Sequence, residues 1–418
     1  MSQFIIQGGH KLKGEIRVSG AKNAATPILA ATLLTQGECV IGNVPRVSDV
    51  ETMIEILRSL RAEAEWSGPH ELTVSCRNVS AQSLDKKLVK RMRSSILLLG
   101  PMLARFQEVT TTEPGGCLLG SRPIDSHLFV LRKLGAEITR QGEFYHLKTK
   151  GLVGATIILP EFSVTATENA LMAAARATGQ TVIKLAAAEP HVTDLARFLI
   201  KMGAKIKGLG THTLTIQGVK KLRGAKHRII PDQIEVGSFV ALALATRSRL
   251  TISPVVPEDL DSVFSLIMRT GSAYEARGHV LKIIPQISPR PFKLQALPFP
   301  GFPTDLQAPW SVLATQCQGT SLIHDPLYEG RMGHIAELIK MGANAIICDP
   351  HRVLITGVTP LHGQEIKSFN LRSGATLIIA GLLAQGETII NEAEVVYRGY
   401  ERIDERLRQL GAKIVLKS

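Results

Sequence analysis

The sequence predicts an α/β fold of two similar domains, each built from three copies of one repeated unit. Three observations carry this. A length of 418 residues, at about 150 per domain, gives two to three domains with room for real cores. A phrase recurs: Leu134-Gly135-Ala136-Glu137-Ile138, Met202-Gly203-Ala204-Lys205-Ile206, Met341-Gly342-Ala343-Asn344-Ala345 and Leu410-Gly411-Ala412-Lys413-Ile414, with weaker copies at Leu60-Arg61-Ala62-Glu63-Ala64 and Thr270-Gly271-Ser272-Ala273-Tyr274. Its second positions, 61, 135, 203, 271, 342 and 411, lie 74, 68, 68, 71 and 69 residues apart, so six units fill the chain. Finally, small-residue apolar helices alternate with short strand-like runs.

In chain order, Glu15-Ile16-Arg17-Val18 reads as a strand that runs through Ser19-Gly20-Ala21-Lys22-Asn23 into a first apolar helix over 24–34. Similar helices are expected over 95–104, 168–175, 236–245, 306–314 and 372–384. Their Ala content permits close packing, so they are expected to be buried on most sides. A strand follows each, as in Thr388-Ile389-Ile390. Each repeated phrase closes a second helix with apolar residues at helical spacing, such as Ile403, Leu407 and Leu410, and sets Gly where a left-handed terminating residue belongs. A solenoid fits less well, because the connecting loops vary and carry the unusual residues. Polar Gly224-Ala225-Lys226-His227-Arg228 reads as the crossover between the halves.

Lys and Arg number 49 against 36 Asp and Glu, a net charge of +13, while 44% hydrophobic content excludes disorder. An anionic partner is expected. Apolar runs such as 96–99 and 377–384 fall short of the roughly 18 residues a membrane span needs. The start Met1-Ser2-Gln3-Phe4-Ile5-Ile6 lacks the pattern of a signal peptide, so a cytoplasmic location is expected. Cys39, Cys76, Cys117, Cys317 and Cys348 are scattered without ligand spacing, which predicts neither disulfides nor a metal site. With 5% aromatics and no nucleic-acid-binding signature, no nucleic-acid partner is expected.

Four features could do chemistry. Lys22 and Asn23 stand at a helix N-terminus, where backbone N–H groups and an ammonium converge on an anion; the ordinary alternative is a strand-to-helix turn with a solvated Lys and a capping Asn. The glycine-punctuated loop 114–123 carries Cys117 and Arg122, a setting that can expose and acidify a thiol. Phe302-Pro303-Thr304-Asp305 puts a carboxylate just before a helix, as an N-cap or as a base facing a cleft. Arg93, Arg122, Arg331, Arg372 and Arg398 sit at loop or helix-start positions in different units and together suggest a cationic cleft for carboxylate and phosphate.

The phrases SGAKNAATPILAATLL from Ser19, PGGCLLGSRPID from Pro114, ATENALMAA from Ala166, PDQIEVGSF from Pro231, FPTDLQA from Phe302 and RGYERIDERLRQLGA from Arg398 resemble the UDP-N-acetylglucosamine 1-carboxyvinyltransferases, within the wider EPSP synthase family. The resemblance implies a two-domain inside-out α/β barrel of six βαβαββ-type units. One domain would hold 1–21 and 230–418; the other would hold 22–229 and the cysteine loop at about 111–123. It implies transfer of the enolpyruvyl group of phosphoenolpyruvate to the 3-hydroxyl of UDP-N-acetylglucosamine with loss of phosphate, the first committed step of peptidoglycan precursor synthesis. No cofactor or metal is implied, and the oligomeric state is left open. Cys117 would be the general acid and Asp305 the base, with Lys22 and Arg398 also catalytic. Lys22, Asn23, Arg122, Arg331, Arg372 and Arg398 would hold phosphoenolpyruvate. Arg93, Arg122, Pro123, Ile124, Asp125, Ser126, Ser163, Val164, Thr165, Asp305 and Leu327 would hold the UDP-sugar.

The chain departs from the family pattern in places. Asn370 stands where the family has Asp in DLRA, Tyr397 where IDRGYE has Asp, Thr165 where SVGATEN has Gly, Gln233 where PDRIE has Arg, and Gly330 where ENR has Asn. An amide at 370 cannot accept a proton, so chemistry weakened at that point, or a non-catalytic UDP-sugar-binding relative, is the alternative expectation.

Overall fold

The computed structural model describes residues 2–80, 83–115 and 123–417. They form two compact units. One is continuous in sequence apart from the gap, residues 20–115 and 123–230; the other joins residues 2–19 to 231–417.

Residues 156–217 show how a repeat is built. Strand Thr156–Ile158 passes through helix Val164–Ala174 to strand Gln180–Lys184, which lies parallel to it; helix Pro190–Lys201 follows, then the antiparallel hairpin Lys205–Lys207 and Thr213–Gln217. Along Gln180–Lys184 the side chains alternate, with Thr181 and Ile183 buried and the terminal residues exposed. One face of each sheet therefore meets water and the other covers helices. Within the unit of both chain ends, helices Gln233–Ala245, Gln307–Ala314 and Leu371–Leu383 pack on one another at the centre. All thirteen residues of Gln233–Ala245 are buried. Small side chains make that possible: a Cβ on Gly237 would fall 2.2 Å from Leu306 Cδ1. Helices inside and sheets outside are the expected inside-out arrangement, within each unit.

The repeated phrase does what its chemistry predicts. Residues 61, 135, 203, 271, 342 and 411 all take positive φ, at 69°, 97°, 108°, 82°, 101° and 94°. Just after five of these turns, the N–H of Ala62, Ala136, Ala204, Ala343 or Ala412 returns to the carbonyl five residues earlier, which satisfies an otherwise orphaned acceptor.

The structure corrects two expectations. The helix expected over 95–104 is split into a 3-10 turn, Arg93–Leu98, and an α-helix, Leu99–Phe106. Pro101, which lacks an N–H, falls in the new first turn, where no donor is required. The expected crossover is not a free linker: Lys226–Arg228 is a strand paired parallel to Cys39–Gly42, and the chain changes unit after Ile230. In the other unit the N-terminal strand Gln3–Gln7 is central, flanked by Glu387–Asn391 and Lys413–Lys417. No helix among the described residues is long and apolar enough to cross a membrane.

Candidate functional site

Asp305 lies in the 3-10 turn Thr304–Leu306 ahead of Gln307–Ala314, and no side chain caps either element. The N-cap alternative therefore falls. Asp305 Oδ1 accepts from Arg331 Nη1 at 2.9 Å and Oδ2 from Arg372 Nη2 at 3.0 Å. Arg372 is 5% exposed. Burial works against its charge, but Asp305, Tyr400 and Asp232 more than offset this and raise its pKa. Arg372 faces the Tyr400 ring at 5.4 Å and Arg331 faces Tyr328 at 5.0 Å, contacts that suit a guanidinium and an aromatic face. Two guanidiniums share the Asp305 carboxylate. Arg331 Nε and Arg372 Nη1 are buried without an acceptor among the described residues.

Asp232 caps Gln233–Ala245 by accepting from Ile234 N–H at 2.8 Å. Burial pushes its carboxyl up to about 6, with the Arg372 charge opposing. Below that pH Asp232 is neutral and the arginine cluster more positive; above it the carboxylate opposes an incoming anion. Sulfate, which does not titrate in this range, is expected to bind more tightly as pH falls from 7 to 5. Asp232→Asn should flatten that dependence in calorimetric titrations, and an unchanged slope would remove Asp232 from the field of the site.

Asn370 has a defined job. It is the N-cap of Leu371–Leu383, its Oδ1 accepting from Arg372 N–H and Ser373 N–H at 3.0 Å each. This oxygen is committed to two backbone donors, a capping role that an amide fills as well as a carboxylate. Asn370→Asp is expected to leave kcat within about threefold, as both residues cap. Asn370→Ala should cost about 1 kcal/mol of stability in denaturant melts. A tenfold gain on restoring Asp would show that a carboxylate at 370 does more than cap the helix. The Tyr397 hydroxyl donates to Asp404 at 2.8 Å. Arg398 ends the 3-10 turn Ala393–Arg398 and is half-buried. Leu327 is tied to the turn of Asp305 through Asp325, which accepts from Leu327 N–H at 3.1 Å and from the Thr304 hydroxyl.

In the other unit, Lys22 opens helix Lys22–Ala31, whose N-cap is Ala21 with no capping side chain. Asn23 is the second helical residue and not the cap, which corrects the ordinary alternative. Lys22 Nζ lies 3.3 Å from Asp49 Oδ2. Gly20 is required here, since a Cβ would fall 1.8 Å from the Asn43 carbonyl oxygen. Three further helix starts carry candidate residues. Arg93 Nη2 donates to the Pro123 carbonyl at 3.2 Å. Ile124 precedes helix Asp125–Lys133, and the Ser126 hydroxyl donates to Glu161 at 2.7 Å. Ser163 caps Val164–Ala174 by accepting from Ala166 N–H at 3.4 Å.

The orientation of Thr165 follows from its neighbours. Asn169 Oδ1 accepts from Gly100 N–H at 2.8 Å, and its amide nitrogen donates to Ile96 O and to His127 Nδ1, both at 2.9 Å. His127 Nδ1 is thereby an acceptor, its Nε2 carries the proton, and that N–H donates to Thr165 Oγ1 at 3.1 Å. Thr165 is helical, so its backbone does not require the family's glycine.

Cys117 and Arg122 lie outside the described residues. Burial pushes the thiols of Cys39 and Cys76 up to about 11 and that of Cys317 up to about 12, which makes them inert; Cys348 is exposed. A polar hollow of about 360 Å³ beside Glu108–Thr110 and His146–Lys148 contains none of the candidate residues. Sequence reading missed Asp49, Asp232, Asp325 and His127. Asp49 lies in the first turn of helix Ser48–Ser59, and the contacts of all four join residues distant in sequence.

Residues 6–407 match the family model of EPSP synthase (3-phosphoshikimate 1-carboxyvinyltransferase). The chain is 44% identical over 417 residues to a UDP-N-acetylglucosamine 1-carboxyvinyltransferase of Koribacter versatilis, spanning 99% of this chain and 96% of that one. It is also 44% identical to one of Bradyrhizobium diazoefficiens, spanning 99% and 97%. Among solved structures, the enolpyruvyl transferase NikO of Streptomyces tendae superposes with a TM-score of 0.91 at 25% identity, covering 100% of this chain and 99% of its own. An EPSP synthase of Acinetobacter baumannii, at 20% identity and a TM-score of 0.75 with both chains wholly covered, shares the fold. With its six repeats, buried central helices and arginine-held carboxylate, the chain belongs to the EPSP synthase family, among the UDP-N-acetylglucosamine 1-carboxyvinyltransferases.

Proposed function

We propose that the protein transfers the enolpyruvyl group of phosphoenolpyruvate to the 3-hydroxyl of UDP-N-acetylglucosamine, releasing phosphate and supplying peptidoglycan precursor synthesis in the cytoplasm. The observation that carries this reading is the part-buried Asp305–Arg331–Arg372 cluster.

The chemistry needs fixed positive charge and a movable proton. The sugar oxygen bonds to C2 of phosphoenolpyruvate as the hydroxyl proton leaves and a proton joins C3. C3 then gives up a proton, the C2–O bond to phosphate breaks, and the electron pair departs with phosphate. We assign Arg331, Arg372 and Arg398 of one unit, and Lys22, Asn23 and Arg122 of the other, to the carboxylate and phosphate, where fixed charge stabilises what grows on the leaving group. An arriving anion competes for the guanidiniums and frees Asp305 to accept the hydroxyl proton. Cys117 supplies the proton to C3. Arg93, the segment 122–126, Ser163, Val164, Thr165 and Leu327 hold the UDP-sugar, with uncapped N–H groups and the Thr165 hydroxyl facing its acceptors.

The test is phosphate release from phosphoenolpyruvate on adding UDP-N-acetylglucosamine, with mass spectrometry of the sugar nucleotide. Stoichiometric phosphate and an enolpyruvyl-bearing nucleotide are expected. Binding of both ligands without phosphate release would leave a UDP-sugar-binding protein.

A further inference from the structure

Arg331 is gripped at both ends. Its guanidinium pairs with Asp305, as described above, while its carbonyl oxygen accepts from two side chains, Gln307 Nε2 at 3.1 Å and His334 Nδ1 at 3.2 Å. Gln307 and His334 are each 1% exposed and stand in the first turns of two different helices, Gln307–Ala314 and Gly333–Lys340. Both lone pairs of one carbonyl are thus taken up by side chains.

The donor logic settles the state of the imidazole. A carbonyl can only accept, so His334 Nδ1 carries a proton. Burial pushes the ring down to about 4 and the Arg331 charge acts the same way, against its backbone bond, so the ring is neutral near pH 7. Nε2 is therefore a bare acceptor. It is buried without a partner among the described residues, and so is Gln307 Oε1. Half-satisfied buried polar groups are costly, and apolar side chains of similar volume would fill the same space at no such cost. Packing gives no reason for them; the placement of Arg331 does.

We propose that His334 and Gln307 are positioning residues that fix the main chain of Arg331, so that its guanidinium stays in place for an anion when Asp305 releases it. Gln307 opens the helix that follows the turn of Asp305, two residues on, so one short segment holds both ends of the arginine. Gly330, at φ 72°, turns the chain immediately before it. An arginine on a free loop would lose side-chain and backbone freedom on meeting its ligand, whereas one pinned at its carbonyl has lost much of it already. The proposal rests on the reading of this cluster as the anion-holding part of the enolpyruvyl-transfer site.

Steady-state kinetics of His334→Leu, Gln307→Met and His334→Asn test it. The first two are expected to raise KM for phosphoenolpyruvate about tenfold, with kcat and KM for UDP-N-acetylglucosamine within about threefold. His334→Asn, whose side-chain N–H can stand where Nδ1–H stood, should recover most of the loss. Sulfate titration of the same variants should show a parallel weakening, and this arm does not depend on turnover. A protein with no phosphate release but weakened sulfate binding would overturn the enzymatic reading and keep the inference. Ring ¹⁵N NMR of the wild type, independent of any variant's folding, should show a protonated Nδ1 and bare Nε2 from pH 6 to 8. An Nε2–H tautomer, an imidazolium, or variants that bind sulfate and phosphoenolpyruvate like the wild type would overturn the proposal.

Discussion

Asp305→Asn lowers the rate of phosphate release by about a hundred- to ten-thousand-fold, the span contributed by a positioned acid–base group. The amide keeps the size and one acceptor of the carboxylate but cannot take the hydroxyl proton. It also no longer neutralises Arg331 and Arg372, which approach it at 2.9 and 3.0 Å. The same substitution should therefore tighten sulfate binding while turnover collapses, opposite signs that general unfolding cannot produce. Single-turnover assays beside calorimetry check both arms. A loss of less than tenfold in rate would show that proton removal does not run through Asp305.

The largest effect on stability is expected at Glu235. This wholly buried carboxylate accepts from Arg406 Nη1 at 2.8 Å and Nη2 at 2.6 Å and from Ser19 N–H at 2.9 Å, while Arg406 Nη1 also reaches the Arg17 carbonyl at 3.0 Å. Removing one partner of such a pair leaves a buried charge uncompensated. Glu235→Ala should cost about 3–5 kcal/mol and lower the melting temperature of its unit by roughly 10 °C. Pairing Glu235→Leu with Arg406→Met should recover much of the loss, since two apolar residues carry no desolvation penalty. Differential scanning calorimetry decides: a double variant as unstable as Glu235→Ala would mean that the hydrogen bonds to Ser19 and Arg17, and not the ion pair, hold this region.

The legible part of the sequence was its repetition. A glycine after a helix has one dominant use, so Gly135, Gly203, Gly271, Gly342 and Gly411 each announced a helix end, and even Arg61 keeps the left-handed turn. Alanine-rich stretches such as 372–384 were legible as buried helices because apolar residues run around their whole circumference. Asp305, Arg331 and Arg372 were legible as residues but not as a set of contacts. Asp305 before a helix has the local signature of a cap, and only the folded chain brings Arg331 and Arg372 to its two oxygens. At Asn370 the family comparison drew attention to a missing charge, while the capping oxygen in the fold is one that Asp and Asn share. The relay from Asn169 through His127 to Thr165 joins three side chains whose polarity follows only from each partner in turn.

The central strand Gln3–Gln7 has a consequence for the protein's birth. Its neighbours, Glu387–Asn391 and Lys413–Lys417, are made only after about 380 more residues. A ribosome adding about 5–20 residues per second leaves the strand without either partner for on the order of 20–80 s. During that interval Phe4 and Ile6, fully buried in the finished sheet, have no sheet to enter. The continuous unit can meanwhile fold as it emerges. The unit that holds Asp305, Arg331 and Arg372 closes this sheet only after Lys413–Lys417 has been made, and a nascent chain stalled before residue 387 carries an unsheltered strand.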